Sequence, residues 1–177
     1  MSRTDLGPGE WAVLALCDEA PAHGFALARA LDAGGPVGRV WVVPRPLVYR
    51  ALRRLGELGL VEELGTSPSP SGPPKTIFGA TPEARACVDR WLEQPVEHIR
   101  DARYLLLLKL LFLHRRGRDP APLVGAQADA YRAIEEHLRE NARHAADDFD
   151  RVILSWRLET ARAALRFLDG LGVSRGS

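Results

Sequence analysis

Lysine is almost missing from this chain: of its 24 basic residues only Lys75 and Lys109 are lysine, and arginine carries the rest of the positive charge. The excess accompanies plentiful Ala, Gly, Pro and Leu, as a compositional bias of the coding sequence would produce. The planar guanidinium also suits phosphate recognition better than an ammonium does. Cysteine is scarce too. Cys17 and Cys87 lie far apart, each in a helical apolar pattern, so both read as small buried hydrophobes in a reducing compartment. Long hydrophobic runs are lacking: the longest, Tyr104 to Leu113, spans ten residues and includes Lys109, too short to cross a bilayer. Residues 1–9 are polar and read as no signal peptide. The expectation is a cytoplasmic protein without a membrane segment.

Signatures of chemistry are absent as well. No nucleophile stands with a base, and no pair of carboxylates shares an apolar face. Gly34-Gly35-Pro36 lacks the lysine and helix of a phosphate-cradling loop. His137 and His144 lie seven apart with Glu140 between them and Asp148 beyond, but no two strong ligands at i and i+4 face inward. They read as a solvated charged face. No enzyme, metal or cofactor is expected.

What is present is a core and an uneven charge distribution. Apolar residues make up 46% of 177 residues, enough for one large domain or a small one with an appendage. The net charge of +1 carries no information by itself. From Pro36 to Ala80, however, six basic residues (Arg39, Arg45, Arg50, Arg53, Arg54, Lys75) face three acids (Glu57, Glu62, Glu63), and four of the six fall within ten residues. Such a local cluster is the footprint of a small DNA-binding module.

Pro8-Gly9-Glu10 ahead of an apolar run opens a first helix, with proline and an acid in its first turn. A second, from about Phe25 to Leu31, ends at Gly34-Gly35-Pro36. Arg39 to Val43 reads as a short extended stretch. A third helix, about Arg45 to Leu58, is the most informative element. Leu47, Val48, Ala51, Leu52, Leu55 and Leu58 share one face, while Arg45, Tyr49, Arg50, Arg53 and Arg54 take the other. Leu60–Leu64 and Lys75–Gly79 form a hairpin around the loop Gly65 to Pro74. Thr81 and Pro82 open a fourth helix with apolar contacts at Ala84, Val88, Trp91 and Leu92. Helix, helix, helix, hairpin, helix within about 90 residues is a winged helix-turn-helix plan.

The remainder is helical. Ile99 to His114 reads as one helix, apolar nearly all round. From Leu123 to Ala146 a heptad-like pattern appears, with Val124, Tyr131, Leu138 and Ala145 seven apart. A last helix opening near Asp147-Asp148 bears Phe149, Val152, Ile153, Trp156, Thr160, Ala163, Phe167 and Leu171. No Gly or Pro separates these last two, so one long helix and a hairpin both stay open.

Several strings resemble the PadR family of bacterial transcription regulators. They are Leu6-Gly7-Pro8 with Leu14-Ala15-Leu16, His23-Gly24-Phe25-Ala26-Leu27, Trp41, Tyr49-Arg50-Ala51-Leu52-Arg53-Arg54-Leu55, Gly59-Leu60-Val61, and Phe78-Gly79-Ala80-Thr81-Pro82-Glu83. Their order and spacing carry the resemblance more than any single string. The sequence departs from the family where small hydroxyl and glycine residues precede the third helix, reading Pro44-Arg45-Pro46-Leu47 instead. It also has Phe78 where tyrosine is frequent, and no basic residue in the wing tip from Thr66 to Gly72. The resemblance implies DNA binding, dimerisation through a C-terminal arm and, often, release by a small hydrophobic effector.

The expectation is thus a mainly α protein. Residues 1–95 form a winged helix-turn-helix of three or four helices plus a two-stranded wing, and residues 96–177 form a helical arm for dimerisation and effector binding. DNA contacts are expected from Arg45, Tyr49, Arg50, Arg53, Arg54, Lys75 and His23, the last balanced between phosphate contact and a capping role. Tyr104, Phe112, Phe149 and Trp156 are the candidate effector residues. Partners are double-stranded DNA with a pseudo-palindromic operator, a second copy of the chain, and a small hydrophobic effector. A winged domain serving only protein interaction is the alternative; it would have a reader face poor in arginine.

Overall fold

The computed structural model describes residues 6–68 and 74–173, which form two units. One runs up to Leu92 and takes in Leu107–Gly117; the other comprises Glu93–Leu106 and the residues from Arg118 onward.

In the first unit, helix α1 (Pro8–Glu19) begins where the Gly7 N–H donates to the Glu10 carboxylate at 2.7 Å. Every residue from Trp11 to Cys17 is buried, so α1 runs through the middle of the unit. Burial, reinforced by the neighbouring Asp18 charge, pushes the Cys17 thiol up to about 12. It stays protonated and serves as an apolar filler. Cys87 is only half-buried, with the Arg90 guanidinium donating to its sulfur at 3.2 Å.

Strand β1 (Ala22–His23) leads directly into α2 (Gly24–Ala30). The connection to α3 (Arg45–Glu57) folds back on α2: the N–H groups of Val37 and Gly38 both donate to the Ala30 carbonyl, and that of Val43 to Leu31. A Cβ on Gly38 would lie 1.7 Å from the Asp32 carbonyl oxygen, so this return of the chain requires glycine. The extended stretch expected over Arg39–Val43 is not a strand; it is a turn followed by irregular chain. Of its valines only Val43 is buried, and its N–H donates to the Leu31 carbonyl at the end of α2 rather than to a ladder.

Strands β2 (Val61–Ser67) and β3 (Lys75–Ala80) pair antiparallel, from Val61 opposite Ala80 to Ser67 opposite Lys75, with a bulge at Leu64. β1 adds to the free edge of β3, Ala22 opposite Phe78 and His23 opposite Ile77, so the sheet has three strands in the order β1-β3-β2. A two-residue strand shows no alternation and left no mark in the sequence. Residues 69–73 of the expected wing tip lie outside the described residues. Helix α4 (Pro82–Glu93) follows, capped by Thr81, whose hydroxyl accepts from the Ala84 N–H and donates to the Gly59 carbonyl. Helices, wing and sheet together are a winged helix-turn-helix.

The single helix expected over Ile99–His114 is broken. A 3-10 turn (Ile99–Asp101) and a π-helical turn (Ala102–Leu106) precede helix α5 (Leu107–Arg115). The whole of 96–177 was expected in the arm, yet α5 belongs to the winged unit. Trp11 and Trp91 stack there at 4.9 Å between centroids, and Phe112 meets Trp91 edge-on at 6.3 Å. Arg115 grips Glu19 in a bidentate pair, at 2.9 Å and 2.6 Å for the closest contacts, and Arg116 meets Asp18 at 2.7 Å.

In the second unit, α6 (Ala121–Arg143) and α7 (Asp148–Val173) form an antiparallel hairpin. The sequence left the continuity of these helices open; they are separated at His144–Asp147, where the Asp147 carboxylate accepts from the Asp150 N–H at 2.8 Å. Arg162 of α7 reaches Glu135 of α6 at 3.2 Å. The buried Gln127 side chain accepts from the Val96 N–H at 2.6 Å and donates to its carbonyl at 2.9 Å, pinning the incoming chain to α6. No helix among the described residues is long and apolar enough to cross a membrane.

Candidate nucleic-acid interface

Helix α3 presents its buried face, Val48, Ala51, Leu52 and Leu55, to the unit's core. Leu47, expected on that face, is 46% exposed; it sits at the helix start, where the core does not reach. The outward residues form two stripes. Arg45, Tyr49 and Arg53, spaced i, i+4, i+8, run on the wing side: Tyr49 and Arg53 border a hollow shared with Gly56, Glu63 and Phe78. Arg50 and Arg54 run on the side of α1, Arg50 bordering a groove with Glu10, Trp41 and Leu47.

The charges on these stripes differ in their freedom. The Arg54 guanidinium donates to Glu10 at 2.8 Å, and the other Glu10 oxygen caps Gly7. Arg54 therefore ties α3 to the start of α1. Among the described residues, Arg45, Arg50 and Arg53 have no carboxylate partner, and all three are exposed. In the second unit, Arg118, Arg132, Arg139, Arg143, Arg151 and Arg162 each hold a carboxylate. Unpaired guanidinium groups on a half-exposed helix keep their donor forks available for phosphate or for guanine edges.

His23 combines two roles. Its Nδ1 accepts from the Ala26 N–H at 3.0 Å, capping α2. In the neutral ring this puts the proton on Nε2, which remains a donor. Gly24 then makes room for Tyr49, since a Cβ there would lie 2.7 Å from the tyrosine ring. Beside them stands Phe25, 41% exposed, with the His23 ring at 6.3 Å, the Arg45 guanidinium over its face at 5.2 Å and the Lys75 ammonium at 5.7 Å. Arg45 also lies 5.8 Å from the Tyr49 ring. Three of the seven expected residues, His23, Arg45 and Lys75, thus gather around one aromatic side chain that sequence reasoning passed over, with Tyr49 against Arg45. The available signal was position: an aromatic directly after His23-Gly24, on a helix too short for a wheel to assign a face.

The four candidate effector residues are not brought together. Phe112 is fully buried against Trp91 in the winged unit, where the apolar run of α5 fills the core. Tyr104 lies in the π-helical turn, its hydroxyl donating to the Asp101 carboxylate, a bond that raises the phenol's pKa. Phe149 and Trp156 stand on α7, 70% and 74% exposed. Trp156 borders a groove of about 470 Å³ walled by Ile99, Ile134 and Leu138 with His98, Arg100 and Arg157 at its rim. Among the described residues no group of His, Cys, Asp and Glu is arranged to hold a metal ion.

No protein-family model and no curated relative matches the sequence. Solved structures similar to the chain include PadR of Bacillus subtilis in complex with operator DNA, at 19% identity and a TM-score of 0.44, covering 92% of this chain and 95% of that one. A protein of Streptococcus mutans is similar at 13% identity and a TM-score of 0.44, with 93% and 98% covered. A PadR-like transcriptional regulator of Bacillus cereus is similar at 15% identity and a TM-score of 0.40, with 92% and 94% covered. The similarities run along nearly the whole chain.

Proposed function

We propose that this chain is a sequence-specific DNA-binding transcription regulator, a homodimeric repressor released by a small, flat, largely apolar effector. The observation that carries the DNA-binding reading is the outward face of α3. Arg45, Arg50 and Arg53 stand exposed and without carboxylate partners beside Tyr49, on the helix a winged domain offers to the major groove. Two such helices related by a two-fold axis read half-sites about one helical turn apart, which makes the operator pseudo-palindromic. The test is Arg53→Ala on an operator selected from random duplexes by the wild-type protein. Affinity should fall by roughly 1–3 kcal/mol, with relaxed preference at one base position. Unchanged affinity at fixed salt would mean that another face reads the DNA.

The effector reading is supported by the groove beside Trp156. Its apolar walls suit a planar ligand, and Arg100 and Arg157, which outnumber the one acid of the lining, Glu97, suit an anionic group on it. Such a ligand weakens DNA binding only if it prefers a conformation in which the reading helices no longer match the groove spacing. Planar aromatic acids should quench the fluorescence of the wild type more than that of Trp156→Phe. Equal quenching in both would remove Trp156 from the site.

A further inference from the structure

The aromatic ring of Phe25 stands where a hydrophobic side chain has no core to fill. It opens α2, remains 41% exposed, and carries cations from two other elements: Arg45 from the start of α3 and Lys75 from the start of β3. Neither cation has a carboxylate partner among the described residues. Left to themselves, two like charges on long side chains drift apart in water and sample many rotamers. Both lie instead within the range of about 6 Å at which the negative face of an aromatic ring attracts a cation. The Tyr49 ring holds Arg45 from a second side, and the Gly24 backbone seats Tyr49.

We propose that Phe25 is a positioning residue of the DNA interface: its ring fixes Arg45 and Lys75 as one preformed clamp for the phosphodiester backbone. The inference rests on the DNA-binding reading and adds to it a residue that touches no base. A cation resting on a ring keeps its N–H donors turned outward and gives up little freedom when a phosphate arrives. Because Arg45 belongs to the reading helix and Lys75 to the wing, the ring also sets the distance between those elements at the point where both meet the backbone. Phenylalanine suits this work because it offers the quadrupole without a hydroxyl that would compete for the phosphate. His23, whose free Nε2 donor lies beside the same ring, extends the clamp by one neutral donor.

The experiment measures binding of the full chain to a 30-bp duplex of random sequence by fluorescence anisotropy at several salt concentrations, with melting temperatures alongside. Arg45→Ala and Lys75→Ala should each lower the salt slope by about one unit. Phe25→Leu, which keeps bulk but removes the quadrupole, should weaken binding by roughly 3- to 10-fold with little change in melting temperature. Phe25→Trp should restore it. In the Phe25→Leu background, Arg45→Ala should cost less than it does alone, the sign that one residue acts through the other. The proposal is overturned if Phe25→Leu binds as the wild type does while Arg45→Ala does not, or if the two losses simply add. It is overturned equally if Phe25→Leu melts early and Phe25→Trp, though folded, fails to restore binding. A wild type that shows no salt-dependent binding to any duplex would instead defeat the DNA-binding reading itself.

Discussion

Lys109 carries an ammonium group into the winged unit, 4% exposed and 5.3 Å from the face of Trp91. Burial pulls its pKa from 10.5 down to about 8. The unfolded chain therefore holds this proton more tightly than the folded one, and stability should rise as pH climbs from about 8 to about 10.5. Lys109→Met, similar in length and uncharged, should be the more stable protein at pH 7, and its advantage should shrink across that window. Denaturation midpoints of both proteins at pH 7, 8, 9 and 10 check this; parallel profiles would refute it. At this scale the sequence was read unevenly. The five outward residues of α3 were legible because a helical period repeats locally. That Arg54 is tied to Glu10 was not, because the partner lies 44 residues away and nothing local announces it. Phe25 escaped for the same reason, its cations arriving from elements that become its neighbours only on folding.

Among the elements, those with strong periodicity or clear caps stand where the sequence put them: α1, α3, α4 and β3; β2 runs three residues beyond the expected Leu64, into what was read as loop. The failures have physical causes. A run such as Leu105–Leu108, apolar on every side, has no phase, so its division into a π-helical turn and α5 left no trace. The valines around Trp41 carry strand propensity, but packing decided their conformation. The long connection between α2 and α3 is a fitted piece in which Gly35 and Gly38 both lie hard against backbone. Gly38→Ala puts a methyl group into the Asp32 carbonyl and should displace the chain between α2 and α3. A loss of roughly 1–3 kcal/mol in stability is expected, with weaker duplex binding even by the molecules that remain folded. Urea unfolding within error of the wild type would show that this loop gives way freely.

For the molecule as a whole, α7 carries, among the described residues, the largest run of exposed bulky apolar side chains: Phe149, Val152, Trp156 and Phe167. Phe149, Val152, Trp156, Ala163 and Phe167 fall on one side at spacings of 3, 4, 7 and 4, the rhythm of a coiled-coil seam about 27 Å long. A second copy of the same helix offers the complementary ridge, and two-fold pairing would join the reading heads that a palindromic operator needs. Sedimentation at micromolar concentration should give a dimer, and Phe149→Asp combined with Trp156→Asp should give a folded monomer with much weaker operator binding. A monomeric wild type would end this reading. The apolar content of α7 was plain in the sequence. Its position as an open edge was not, because the same pattern would serve equally for the seam that α6 already occupies.

The return of the chain to the winged unit at Leu107–Gly117 changes what counts as a separable part. The boundary near Pro95 that composition suggests would cut off Phe112 and the leucines around it, uncover Trp91, and strip Glu19 of Arg115 and Asp18 of Arg116. The polypeptide is sewn through both units, passing out of the first, back in at α5 and out again. A chimera that grafts this reading head onto another arm must therefore carry a discontinuous insert, residues up to Leu92 together with Leu107–Gly117. By the same logic, inheritance of the head by recombination would favour exchange of the gene as one piece.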